Sequence, residues 1–285
     1  MSQHKNADEN ATAAAARQLL GARYGDADIR IGVPDFNETV ATVLSHRSVR
    51  AFTPQALREG TLALLVAAAQ SAPTSSNLQV WSVIAVEEAE RKARLAKLAR
   101  NQQQINEAPL LLVFLSDLSR LSRVAAAKTE RIEGLEYLDT ALMGFIDAAL
   151  AAQNVVTVAE SLGLGTVYIG ALRNHPEAVA AELALPSLAA PAFGLAIGHP
   201  DPARPTAVKP RLPQSTVLHR ETYGTAEEPA AIKRYDEVLQ GFQLSQSLAP
   251  QPWSSQAVNR LSGPESLSRR DRLREALRTL GFALR

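Results

Sequence analysis

No cysteine occurs in the 285 residues, which excludes disulfides, thiolate nucleophiles and cysteine-held metals together. It also fits a reducing compartment, with the cytoplasm as the expected setting. Net charge is nearly absent: 30 Lys and Arg against 29 Asp and Glu leave a formal +1. That excludes the broad basic field by which proteins gather nucleic acid or an anionic bilayer, so any anion has to be recognised by a few placed cations, and the ligand is expected to be small. Long apolar runs are missing too. The longest stretch of aliphatic or aromatic residues larger than alanine is Leu110 to Leu115, and the first twenty residues hold no apolar leader core, so neither membrane insertion nor export is expected. The nucleotide-cradling, zinc-protease and nucleophile-elbow patterns do not occur, and the five histidines are scattered without metal-ligand spacing.

What is present is ample core-forming material, 46% apolar residues, in a regular order. Residues 1–12 read as disordered and 13–23 as a short helix. Asn37 is placed to cap a helix running to Ser45, and Leu62, Leu65, Val66 and Ala69 share the face of a second. The short branched runs "WSVIAV" (81–86) and "LLLVFLS" (110–116) read as buried strands around a charged helix over 88–100. The Ala-rich segment 136–162, apolar on nearly all sides and closed by Gly163, reads as a central buried helix. "GTVYIG" (165–170) and "AFGLAIG" (192–198) read as two more strands, with a helix over 176–184 between them and tail helices over 230–240 and 265–280.

The chemistry lies in short polar stretches between these elements. "HRSVRAF" (46–52) leaves a helix in extended form toward Pro54, so that His46, Ser48 and Arg50 project to one side. Two possible cations and a hydroxyl suit a phosphate and a polar ligand edge, while basic residues also collect at solvated helix ends; the segment leaves both open. In "KPRLP" (209–213) Pro210 biases Lys209 toward extended geometry, so Lys209 and Arg211 point the same way, either at an anion or into solvent. "PTSSNLQ" (73–79) and "NQQQ" (101–104) offer hydroxyls and amides that could satisfy a heterocycle, though turn chemistry by itself accounts for the first and an exposed loop for the second. In "GLGTVYIGALR" (163–173) the glycines sit at a helix-to-strand junction, the reverse of the dinucleotide fingerprint; Gly170 would let a flat ligand approach the backbone.

Taken in order, "HRSVRAF", "SSNLQ", "AAQNVVTVAESLGLGTVYIGALRN", "FGLAIGHP" and "KPRLP" resemble the oxygen-insensitive NADPH nitroreductase and flavin reductase family of bacteria, over about residues 46–223. The resemblance implies an α+β fold, a mixed β-sheet flanked by helices with a long buried central helix, in a homodimer that binds FMN at the subunit interface. It implies an FMN-binding domain over 37–224 and a helical excursion over 225–285 that packs on the same domain or the partner subunit; the chain departs from it in an N-terminal extension over 1–36. By similarity His46, Arg47, Ser48 and Arg50 lie along the flavin phosphate, ribityl chain and pyrimidine edge, with Lys209 and Arg211 on the phosphate. Ser75, Ser76, Asn77 and Gln79 match the loop that reaches the partner's flavin, and Gln102 a residue near the ring. Tyr168, Ile169, Gly170 and Ala171 match the segment whose backbone lies against the isoalloxazine.

The implied activity is hydride transfer from NADPH or NADH through flavin N5 to nitroaromatics, quinones or free flavin by a ping-pong cycle. Arg50 would support negative charge on reduced flavin, with no protein acid or base required. An FMN-binding or sensing protein without substantial turnover is the alternative, and a structural protein with solvated cations a third. The family's basic C-terminal loop, which holds the 2′-phosphate of NADPH, has no counterpart here: no Lys or Arg stands between Arg234 and Arg260.

Overall fold

The computed structural model describes residues 14–25 and 36–285; the stretch expected to be disordered lies outside them. In chain order the helices are α1 (14–24), α2 (Glu38–Leu44), α3 (Thr61–Gln70), α4 (Ala89–Leu98), α5 (Gln103–Glu107), α6 (Ser119–Ala127), α7 (Leu138–Ser161), α8 (Pro176–Glu182), α9 (Glu228–Ser245), α10 (Trp253–Arg260) and α11 (Leu273–Thr279). The strands are β1 (Trp81–Val86), β2 (Leu110–Asp117), β3 (Gly165–Ile169) and β4 (Ala189–Gly198). The chain divides into two units. One combines the described residues up to Arg47 with Thr206–Ser266; the other combines Ser48–Pro205 with Leu267–Arg285.

The larger unit is built on the sheet. Its order is β1-β2-β4-β3, and each neighbouring pair is antiparallel. The mixed character expected of it is confined, among the described residues, to one parallel bridge between Ser48 and Thr166. Every residue of β2 is buried, which explains its continuous apolar run: alternate side chains enter different cores. Leu111, Val113 and Leu115 pack with Leu95, Ile105 and Val179 of α4, α5 and α8. Leu110, Leu112 and Phe114 pack with Leu65 of α3 and with Ala148, Ala152 and Val155 of α7. Truncating a side chain as enclosed as Phe114 costs about 3–5 kcal/mol in such a setting.

The long helix is buried on one face rather than all round. Ala141, Gly144, Asp147, Ala148, Ala151, Ala152, Val155, Val156 and Ala159 are covered, at the spacing of three and four expected of a single face. Leu138, Leu142, Ile146 and Leu150 on the other side are exposed, because a sheet covers only the side of a helix that rests on it. By length and composition α7 would cross a bilayer, and 44% of its apolar window is buried inside the fold. Gly163 ends it at φ 77°, the left-handed turn that glycine takes without steric cost.

In this unit α11 and the residues after it return to the core: Leu277 and Phe282 pack with Val80, Leu118 and Ala190. The Arg285 N–H donates to the Glu136 carbonyl at 2.9 Å, and the Leu138 N–H donates to the Arg285 carbonyl at 3.1 Å.

In the other unit Asn37 caps α2 as expected, accepting from the Val40 N–H at 3.0 Å. The helix α10 was not foreseen. Asp236 of α9 secures its start by accepting from the Ser254 N–H and hydroxyl, while Trp253 meets Tyr235 edge-on with ring centroids 5.8 Å apart.

Candidate functional site

The smaller unit contributes four of the expected cationic residues, and a fifth organises them. Arg23, on the last turn of α1, is 7% exposed. Its guanidinium donates to the carbonyls of Lys209 at 2.9 Å, Leu44 at 2.8 Å and His46 at 3.0 Å. Its own carbonyl accepts from the Arg211 N–H at 2.7 Å, and the Tyr235 hydroxyl donates to the intervening Pro210 carbonyl at 3.0 Å. Pro210 is buried while Lys209 and Arg211 stand exposed on either side of it, the alternation read from the sequence. The backbones of His46 and Lys209 are thus held by one planar group, with His46 half-buried and Arg47 exposed. Burial raises the Tyr235 phenol above its ordinary range, against an opposing pull from Arg211.

In the larger unit the segment after Arg47 is sewn to β3. Ser48 bridges Thr166, the Val49 N–H donates to the Thr166 carbonyl at 2.9 Å, and Val49 is buried. Gly165 makes that approach possible: a Cβ there would stand 2.7 Å from the Val49 side chain, closer than carbon atoms tolerate. Ser48 and Arg50 alternate with buried Val49 and Ala51; Arg50 is exposed and curls back on the Ser48 carbonyl at 3.4 Å. Past Arg50, the Phe52 N–H donates to Glu107 at 3.2 Å. The Arg204 guanidinium, 2.8 Å from that carboxylate, holds Glu107 below the usual range, with the Phe52 N–H adding to it against burial.

The loop carrying Ser75, Ser76, Asn77 and Gln79 is strained and pinned at both ends. Ser76, Asn77 and Gln79 have φ of 48°, 53° and 52°, the left-handed region that costs an ordinary residue about 1–2 kcal/mol. At one end the Ser75 N–H donates to Asp147 Oδ1 at 3.1 Å. Asp147 is 1% exposed, and its Oδ2 has no hydrogen-bond partner among the described residues. At the other end Arg120 donates to the Gln79 carbonyl at 2.6 Å and to Ser82 Oγ at 2.8 Å. Ser82 in turn donates to Asp117 at 2.5 Å. Burial pushes the Asp117 carboxyl up, yet bonds from Ser119 and Ser82 and the charge of Arg120 outweigh it, leaving it below the usual range. Val66, Gln70, Trp81 and Arg120 join the loop around a cavity of about 710 Å³.

Tyr168, next to last in β3, sets its ring edge-on to Phe193, centroids 5.1 Å apart, and burial pushes its phenol up to about 12. Ile169 ends the strand, and Gly170 and Ala171 open a 3-10 turn. Two guanidiniums flank Gly170: a Cβ there would meet Arg173 at 3.5 Å and Arg270 at 3.9 Å. A β-bulge sets the first. Phe114 pairs with Phe193 and Leu115 with Pro191, so Ala192 is left over, and its carbonyl accepts from Arg173. The second is aimed by Asn174, whose Oδ1 accepts from Arg270 Nε at 3.0 Å. Burial, with Arg270 beside it, lowers the Arg173 guanidinium from its ordinary range. Gln102 is the residue just before α5, a short helix not read from the sequence, and accepts from the Gln104 amide at 2.6 Å.

The structure therefore joins His46 to Lys209 and Arg211, joins Ser48 to the strand that leads to Tyr168 through Ala171, and anchors Ser75 through Gln79 separately. Arg23, Asp147, Arg173 and Arg270, which do the holding or flank the site, carry no local signal beyond being charged residues in apolar or irregular surroundings. Asp147, a lone carboxyl on the covered face of an Ala-rich helix, is the one a careful reading of burial would flag.

Known proteins resemble this arrangement along most of the chain. The model described as "Nitroreductase family" matches residues 43–199, and "Nitroreductase family, C-terminal domain" matches 209–285. An FMN reductase (NADPH) of Bacillus subtilis (strain 168) is 38% identical over 228 residues, 78% of this chain and 91% of that protein. The structure of the NfrA1 nitroreductase from B. subtilis superposes with a TM-score of 0.81 at 37% identity, covering 86% of this chain and 99% of that one. An NADPH:FMN oxidoreductase from Vibrio harveyi, complexed with NAD+, gives 0.77 at 34% identity over 87% of this chain and 100% of that one.

Proposed function

The chain belongs to the nitroreductase family, and from that premise we propose that it passes hydride from NADPH or NADH, through FMN, to nitroaromatics, quinones or free flavin. It is an NAD(P)H-dependent flavin oxidoreductase, and its cofactor is FMN. The observation that carries the assignment of residues is the shared anchor of the two cationic segments, the Arg23 guanidinium on the carbonyls of both His46 and Lys209.

The donor set fits the group. A phosphate dianion wants clustered, well-presented cations, and His46, Arg47, Lys209 and Arg211 supply them on segments whose backbones are tied together. Ser48 and Arg50 are our assignment for the ribityl chain and pyrimidine edge, Tyr168, Ile169, Gly170 and Ala171 for the ring face, and Gln102 for the ring edge. Ser75, Ser76, Asn77 and Gln79 are assigned to a flavin in the partner subunit. FMN, when bound, would supply the hydride-transfer chemistry. The chain's residues bind, orient and polarise: Arg50 sets a fixed positive charge where negative charge accumulates, and Arg173 and Arg270 add two more near Gly170. No side chain is asked to act as acid or base.

We infer ping-pong kinetics, with donor and acceptor using one slot in turn, in a homodimer and a cytoplasmic setting where reduced nicotinamides are supplied. The exposed stripe Leu138, Leu142, Ile146 and Leu150 supports the dimer, since large apolar side chains in a row are seldom left in water. The visible spectrum of the purified protein with added FMN, before and after anaerobic NADPH, tests the whole reading. Bleaching of the flavin band is expected. A bound flavin that stays oxidised would leave an FMN-binding protein without turnover, and a protein that ignores FMN would end the assignment.

A further inference from the structure

Residues 1–36 precede both matched family stretches, which begin at 43 and 209, yet α1 supplies the group on which the candidate phosphate segments converge. Ala16, Leu20 and Arg23 are its buried positions, spaced four and three apart so that one stripe faces inward. The aliphatic part of that stripe docks the helix. Arg23, at its end, is a buried cation whose donors are turned onto main-chain carbonyls, those of Leu44, His46 and Lys209. A desolvated guanidinium without such partners would be strongly unfavourable, so the geometry holds in both directions: the carbonyls stabilise Arg23, and Arg23 fixes the distance between two segments 163 residues apart, 209 against 46. The return bond from the Arg211 N–H to the Arg23 carbonyl fixes the orientation of the second segment as well.

We propose that Arg23 is a positioning residue for the flavin phosphate: it holds the His46–Arg47 and Lys209–Arg211 backbones in register, so that their cations meet one phosphate together. This rests on the FMN reading above and extends it to a helix that neither family match includes. Arg23 touches no ligand in this role. Its effect is expected to be selective for the phosphate, because the isoalloxazine and ribityl contacts are assigned to other residues.

The test is a pair of titrations on the full-length protein, FMN and riboflavin, followed by flavin fluorescence, for wild type, Arg23→Ala, Arg211→Ala and the double variant. The expected result is an FMN Kd raised about tenfold or more by Arg23→Ala, as for loss of charge-assisted hydrogen bonds, with the riboflavin Kd unchanged. The double variant should cost less than the sum of the two single losses, since Arg23 acts in part through the Arg211 segment. An FMN Kd equal to wild type, or an equal loss for FMN and riboflavin, overturns the proposal while leaving the FMN reading standing. If wild type binds neither flavin, the reading itself fails and this proposal with it. Should Arg23→Ala fail to fold by circular dichroism, Arg23→Lys, which keeps charge and stem but not the fork, is read in the same titrations: a phosphate-selective loss supports the proposal, and no loss or a parallel loss overturns it.

Discussion

Asp147 and Arg50 are two different ways for a single side chain to serve the flavin site we propose. Asp147 is enclosed, with one carboxyl oxygen spent on the Ser75 N–H and the other without a hydrogen-bond partner among the described residues. Such a group is unfavourable unless it holds something in place, and what it holds is a loop with three residues in the left-handed region. Asp147→Ala is expected to release that loop and weaken FMN binding by about tenfold, while Asp147→Asn, which keeps an acceptor, loses less; fluorescence titration of FMN against both variants checks this, and equal affinities would show the loop needs no anchor. Arg50 is the opposite case, exposed and, among the described residues, bonded to its own segment at the Ser48 carbonyl. Arg50→Ala should lower kcat/KM for NADPH by about tenfold or more through lost electrostatic support. Steady-state rates and FMN affinity both at wild-type values would remove Arg50 from the site.

The elements acquire their roles from what covers them. β2 is apolar at every position from Leu110 to Leu115 because a helical layer lies on each face, while α7 is apolar nearly all round though the fold buries only one side. Its outward stripe is the surface we assign to the second subunit. Ile146, 57% exposed, sits in the middle of that stripe, and Ile146→Glu should convert a dimer into monomers in light-scattering chromatography. Because the Ser75–Gln79 loop is assigned to the partner's flavin, FMN occupancy should fall with it. A wild-type protein that is already monomeric would remove the stripe from that role. The bulge in β4 has a similarly specific use: the carbonyl it frees at Ala192 fixes Arg173, and Pro191, which cannot donate in a ladder, is tolerated beside the irregularity.

At the scale of the whole molecule, the charge distribution bears on the choice of nicotinamide donor. The stretch between Arg234 and Arg260 holds no Lys or Arg and folds into the later part of α9, a turn and α10, so it offers no cation to the 2′-phosphate of NADPH. A charge-assisted contact to the 2′-phosphate is worth about tenfold or more in affinity. We therefore expect kcat/KM for NADPH and NADH to lie within about tenfold of each other, measured at subsaturating donor. A preference for NADPH much larger than that would mean that cations elsewhere in the chain take the phosphate.

Local pattern was enough for most of the elements and for the family. Asn37 announced α2, Gly163 closed α7, "WSVIAV" began and ended where β1 does, and the alternation about Pro210 and Val49 appeared as expected, because caps, periodicity and proline restriction act over a few residues. The short α5, α6 and α10 escaped, being weakly periodic and secured by partners such as Asp236 rather than by their own composition. No pattern in the chain announced that Arg23 would meet Lys209, 186 residues away, that Asp147 would face Ser75, or that one side of α7 would stay bare. Those pairings depend on where the packed layers bring distant backbones, and a buried charge takes its meaning from the groups that surround it after folding.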